Sequence, residues 1–198
     1  MGSLRARALE SRITRAIVGP MKPGNDGSPD YAAPFDQYRN VVRPEWIDEN
    51  DHMNMGYYVV VFDLATDAWL DHIGLDDTHK QSQSVTTFTL ESHVCYLREV
   101  RRGDPLRFTT LLLGFDDKRI HYIHEMWHAD QRYLAATNEL MSLHVSQTTR
   151  RAAPIAPEIV SRLESLHRVH RRAPTPAAVG RRIGLDARPR DASHHPTK

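Results

Sequence analysis

The sequence has a single cysteine, Cys95, among 198 residues. An intrachain disulfide is therefore impossible, and a cysteine-built zinc cluster is excluded. No run approaches the roughly 18 consecutive apolar residues of a membrane-crossing helix. The N-terminus, MGSLRARALESRITRAIVG, lacks the apolar core of a secretory signal. A large charge of one sign is missing too, since the formal net charge is +1. That argues against a dedicated nucleic-acid binder. Twelve Pro and ten Gly are too few for a low-complexity protein. With 40% hydrophobic and 26% charged residues the composition is globular, and the length suits one domain with tails.

The near-neutral total hides an asymmetry. Residues 36–149 carry net −8, whereas residues 150–198 carry net +7. An acidic domain with a basic tail is expected. The tail reads as a solvated Arg-rich helix, or as a hold on a polyanionic ligand. Arg5, Arg7, Arg12 and Arg15 leave a presequence open for the N-terminus, with a loose extension the simpler reading. Pro20–Pro34 is rich in Pro, Gly and Asp and reads as a linker. These divisions predict an extension over 1–34, a folded domain over 35–150 and a basic helix and tail over 151–198.

Within the domain, Gln37–Arg43 is a short strand candidate that Pro44 ends, because proline has no amide for a ladder. Tyr57–Ile73 reads as a helix, with Tyr58, Phe62, Ala65, Trp69 and Ile73 on one stripe and Gly74 as its stop. Four β-rich segments follow: Val85–Arg98, Leu106–Gly114, Lys118–His128 and Tyr133–Thr149. Short turns separate them, which predicts an antiparallel meander. Glu158–Arg172 reads as a C-terminal helix after Pro154 and Pro157. The fold class is α+β: a long helix burying its stripe on an antiparallel sheet of about five strands, plus a C-terminal helix.

The densest polar cluster, Asp48, Glu49, Asn50, Asp51, His52 and Asn54, immediately precedes the long helix. It is a capping segment, since Asn54 suits an N-cap and acids suit a helix start, or it is a functional loop held by rigid elements. Glu91 sits in an apolar strand, as a solvent-facing group or as a second carboxylate for chemistry. HYIHEMWH would be a metal motif on a helix. On a strand, His124 and His128 point one way and His121 and Glu125 the other, so no metal site is expected. His93 and Cys95 share a strand face without further ligands nearby, and Cys95 reads as a buried structural thiol.

The stretch VVRPEWIDENDHMNMGYYVVVFDLATDAWL resembles the signature region of hotdog-fold acyl-CoA thioesterases of the 4-hydroxybenzoyl-CoA thioesterase type. Asp48 stands four residues before His52, Met53 fills an apolar place, and Asn54 and Tyr58 match. VCYLREVRRGDPLRF resembles that family's next strand–turn–strand hallmark. The similarity covers Phe35–Thr149. Asp51 departs from the family's glycine before the histidine, and Met55 departs from its second asparagine. Within the family, HMNMGYYVVVFDLATDAWLDHIGL, LESHVCYLREV and the RRAP…GRRIGL tail resemble the betainyl-CoA thioesterases of bacterial carnitine breakdown.

The resemblance implies a hotdog fold, hydrolysis of a small acyl-CoA and a homodimer or homotetramer whose sites form between protomers. No cofactor, metal, nucleic-acid or membrane partner is implied, and a cytoplasmic enzyme is expected. It makes Asp48 the nucleophile or general base and the Met55 backbone amide the oxyanion donor, with His52 and Asn54 orienting the carboxylate or water. Glu91 would assist from the other protomer. Trp46, Tyr57 and Tyr58, with Trp127 as a further aromatic, are candidates for the acyl pocket, where aromatic rings suit a quaternary ammonium group. Arg98, Arg101, Arg102, Arg181 and Arg182 are candidates for the CoA phosphates. A hydratase and a non-catalytic acyl-CoA-binding hotdog protein are the competing functions.

Overall fold

The structure, a computed structural model, describes residues 32–185. Most of the expected N-terminal extension, and the tail beyond residue 185, lie outside the described residues. The elements run β1 (Phe35–Val41), a 3-10 turn (Pro44–Trp46), α1 (Met55–Ile73), α2 (Asp77–Gln83), β2 (Val85–Tyr96), β3 (Pro105–Phe115), β4 (Arg119–His128), β5 (Leu134–Ser146) and α3 (Pro157–His170). Among the described residues no helix is long and apolar enough to cross a membrane.

The long helix forms where its apolar spacing places it. Tyr58, Phe62, Ala65, Trp69 and Ile73 are all buried, and each large side chain of that stripe contributes about 1.5–3 kcal/mol by leaving water. The Asn54 side chain caps the start by accepting from the Gly56 amide. Gly74 ends the helix at φ +89°, and its amide reaches back to the Leu70 and Asp71 carbonyls. The helix begins two residues before the expected Tyr57. The short α2 was not expected, because DTHKQSQ has no apolar period; it starts on the Asp76 side chain, which accepts from His79 N.

The five strands form one antiparallel sheet in the order β1-β3-β4-β5-β2. The expected four-strand meander holds for β3, β4 and β5 only. Strand β2 pairs with β5, not with β3. The connection 97–104 is therefore a crossover along the strand ends and not a tight hairpin. Its early amides, Leu97 N and Arg98 N, bond Ala135 O, and Val100 is fully buried. Burying that valine is incompatible with a solvent-facing turn.

One sheet face receives α1. Phe108 and Thr110 of β3, His124 and Met126 of β4, and Asn138 and Ala136 of β5 stand on it. His124 is fully buried there between Thr66 Oγ1 at 2.9 Å and Thr110 Oγ1 at 2.8 Å. Burial pulls its pKa down to about 3. Helix α3 packs Ile159, Leu163 and Leu166 beside Trp69 and Leu112. His170 Nδ1 accepts from Leu112 N at 2.9 Å, which extends the β3 edge beyond the end of β1. The chain then turns onto the opposite, outer face, where Gly180 N donates to Glu139 Oε2 at 2.7 Å.

Candidate active site

Asp48 and the start of α1 are held by one loop. Ile47 and Met53 form a β-bridge across it. Asp48 N donates to His52 O at 2.9 Å and Asp51 N to Asp48 O at 3.1 Å. Asp51 takes φ +60°, the left-handed conformation that glycine adopts freely and aspartate tolerates. The aspartate thus stands in for the expected glycine without opening the turn. Two further bonds moor the loop: Asn54 N to Trp46 O and Met53 N to Val100 O, both 2.9 Å.

The Asp48 carboxylate is half-buried. Its Oδ1 accepts the Asn50 amide at 2.9 Å. At the helix start, Asn54 Oδ1 takes the Gly56 amide and Asn54 O takes the Tyr57 amide. The Met55 amide is left as the helix-start donor with no acceptor among the described residues. An open amide at a helix N-terminus suits a developing negative charge. A half-buried carboxylate and an open helix-start amide on one moored loop can activate water and receive the oxyanion of a tetrahedral intermediate.

The other expected residues divide. His52 Nε2 lies 3.0 Å from Glu99 Oε2 and 3.4 Å from Arg101 Nη2. Its ring therefore braces the 97–104 connection and does not hydrogen-bond the Asp48 carboxylate. The Asn54 side chain is committed to the cap. Trp46, a candidate for the acyl pocket, is buried, at 4% exposed. Its ring stacks on Tyr57 at 5.9 Å and carries the Arg43 guanidinium at 5.1 Å. A loop tryptophan is buried here because the chain folds back beneath it. Tyr58 is buried as well, and burial raises its hydroxyl to about 12, so it stays neutral.

Glu91 is exposed and stands with Cys95 and His93 on the outer sheet face. Strand alternation turns it away from the α1 side, so in this chain it does not face the helix start. Cys95 is half-buried, not fully buried as expected. Trp127 shares that outer face through its register with β5. Arg101 and Arg102 lie on the 97–104 connection beside the Asp48 loop. Arg98 packs its guanidinium 3.8 Å over the Tyr133 ring. Arg181 and Arg182 follow Gly180 on the outer face. Two contacts were not foreseen: Glu99 as the partner of His52, and Tyr96, whose hydroxyl reaches Met55 O at 3.4 Å and whose ring meets Tyr58 edge-on. Tyr96 belongs to the quoted hallmark and ends β2, but its cross-fold contact depends on β2 pairing with β5.

The family model described as the thioesterase-like superfamily matches residues 42–163. The chain belongs to that family. It has the hotdog fold and is a thioester hydrolase. The betainyl-CoA thioesterase of Pseudomonas aeruginosa is 42% identical over 148 residues, 75% of this chain and 93% of that protein. A Rhizobium meliloti protein named L-carnitine dehydrogenase/betainyl-CoA thioesterase is 31% identical over 80% of this chain, which spans 32% of that longer protein. Among solved structures, a Staphylococcus aureus protein in complex with CoA aligns at TM-score 0.72 and 26% identity, covering 78% of this chain and 98% of its own. A candidate thioesterase from Pseudomonas putida aligns at 0.68 and 37% identity, covering 79% and 99%. The matched segment includes the Asp48 loop, α1 and the crossover that braces them.

Proposed function

We propose that the protein is an acyl-CoA thioesterase that hydrolyses betainyl-CoA to glycine betaine and CoA. The observation that carries the substrate is the 42% identity that extends over 93% of a betainyl-CoA thioesterase. The site supplies the chemistry. Asp48 acts as general base on a water, which attacks the thioester carbonyl. The Met55 amide receives the oxyanion, and collapse expels the CoA thiolate. Arg101 and Arg102, beside the same loop, meet the CoA phosphates. Tyr57 and Tyr96 offer accessible ring surface to the cationic acyl group.

The reading includes a homodimer. Met55, Val59 and Val60 of α1 and Leu90 and Tyr96 of β2 are exposed apolar groups, with Tyr96 against the helix start. Strand β2 is a sheet edge, and an uncovered edge with apolar neighbours is a pairing surface. A second copy would cover it and complete the acyl pocket.

The test is thiol release from betainyl-, acetyl-, 4-hydroxybenzoyl- and long-chain acyl-CoA by wild type and Asp48→Asn. We expect kcat/KM to be greatest for betainyl-CoA and to fall at least 10²-fold in Asp48→Asn with the melting temperature kept. Preference for another acyl group would retain the thioesterase and remove the substrate. Full activity in Asp48→Asn would remove the mechanism.

A further inference from the structure

The outer face of the sheet carries a cavity of about 290 Å³, remote from the Asp48 loop because the sheet lies between them. Thr109 and Leu111 of β3 and Ile123 and Glu125 of β4 line its floor. The chain after α3 makes the other wall, with Pro174 and Pro176 foremost. This segment is anchored at both ends. His170 accepts Leu112 N upstream. Downstream, Gly180 N donates to Glu139 Oε2, while Glu139 Oε1 meets His121 Nε2 at 2.8 Å. The Glu139 side chain is only 14% exposed, so detaching the segment would strip a nearly buried carboxylate of a donor.

The cavity has apolar walls and one formal charge. Glu125 Oε2 accepts from Thr109 Oγ1 at 3.2 Å. The nearest cation, Arg107, is committed to Asp36, with Nε at 2.9 and 3.0 Å from its two carboxylate oxygens. The Glu125 carboxyl is thus half-buried without a guanidinium or ammonium in direct contact among the described residues, and burial raises its pKa. A half-buried carboxylate whose one nearby guanidinium is already paired with another acid favours a further cation. The apolar walls favour one with an alkyl body over a strongly hydrated metal ion. The volume lies just below the usual range for ligand pockets, so the occupant is small.

We propose that this cavity is a second ligand site, taking a small organic ammonium ion with a short alkyl body and setting its charge against Glu125. The site is independent of the thioesterase reading, since no residue of the Asp48 loop lines it.

The test is titration of choline into the full chain, read by the methyl NMR signals of Ile123 and Leu111 and by calorimetry. We expect saturable shifts of both signals, at least tenfold weaker binding in Glu125→Gln, and at least tenfold weaker binding of the uncharged isostere 3,3-dimethylbutan-1-ol. Unmoved Ile123 and Leu111 signals, equal binding by Glu125→Gln, or equal binding of the alcohol would each overturn the proposal. Should Glu125→Gln fail to fold, Leu111→Phe, which fills the cavity and keeps every charge, must abolish the Ile123 shift.

Discussion

The amide of Asp51 closes on the carbonyl of Asp48 at 3.1 Å, with Asp51 itself at φ +60°. The two residues form a turn that presents one carboxylate while spending the other's conformation on the bend. An aspartate in the left-handed region is tolerated because its short polar side chain finds local partners. The backbone at Asp51 is thus in a conformation that the glycine of the family pattern would also adopt without strain.

The first prediction concerns that turn. Asp51→Gly keeps the conformation and leaves thiol release within about threefold of wild type. Asp51→Val forces a β-branched residue into the left-handed region, at a cost of about 1–2 kcal/mol. Because the loop positions Asp48, kcat should fall along with the melting temperature in the valine variant. Equal activity in the two variants would mean that the turn does not position the carboxylate.

The second prediction isolates the oxyanion donor. Met55 is the first helical residue, where proline is accepted and removes only an amide that has no helical partner. Asn54, the residue before it, already has ψ 140°, which a following proline requires. Met55→Pro should fold normally and lose about 10²–10³ in kcat, the usual consequence of deleting one oxyanion donor. Met55→Ala keeps the amide and should stay within about tenfold. A Met55→Pro variant that retains its structure and activity would place the oxyanion elsewhere.

The contrast between α1 and β2 explains what the sequence reveals of this protein. Helix α1 is legible because its stripe, its Asn54 cap and its Gly74 stop are all local signals. The segment of β2 is legible as a strand, but its partner is not, since pairing with β5 across the sheet is a long-range choice that no local signal carries. The site divides along the same line. Asp48, Asn54 and Met55 belong to one continuous motif, and the loop that holds them follows from it. Glu99 against His52, and Tyr96 against Met55, are contacts between segments more than forty residues apart, and no periodicity encodes them. The burial of Trp46 is not legible for a related reason: a polar neighbourhood in sequence says little about a ring that packs on Tyr57 and Arg43 in space.

A third prediction tests how α3 is fastened to α1. At Gly74 a Cβ would meet Arg162 Nη1 at 2.0 Å and Ile159 Cδ1 at 3.0 Å, and φ is +89°. The arginine tip can swing away, but the backbone strain remains. Gly74→Ala should lower stability by about 1–2 kcal/mol, read by urea unfolding. Arg162→Ala added to it should recover only the steric part, and full recovery would show that the left-handed glycine carries no strain.

The last prediction concerns pH. His124 is fully buried, and burial lowers its pKa from 6.5 to about 3, so the folded state holds it neutral while the unfolded chain binds a proton near pH 6.5. The unfolded state thus carries more protons between those limits, and stability falls as pH drops below 6.5. From His124 alone the loss by pH 5 is roughly 2 kcal/mol, at about 1.4 kcal/mol per pH unit. His72, lowered to about 4 by burial and by the nearby His170 and Arg162, acts in the same direction. Above about pH 7.5 both histidines are almost wholly neutral in either state and contribute little slope. Urea unfolding at pH 7.5, 6 and 5 reads the effect. His124→Gln offers Thr66 and Thr110 an uncharged donor and acceptor, so this variant should be less stable at pH 7.5 yet lose about 2 kcal/mol less than wild type between pH 7.5 and 5. Parallel losses in wild type and His124→Gln would show that the proton sensitivity resides in other groups.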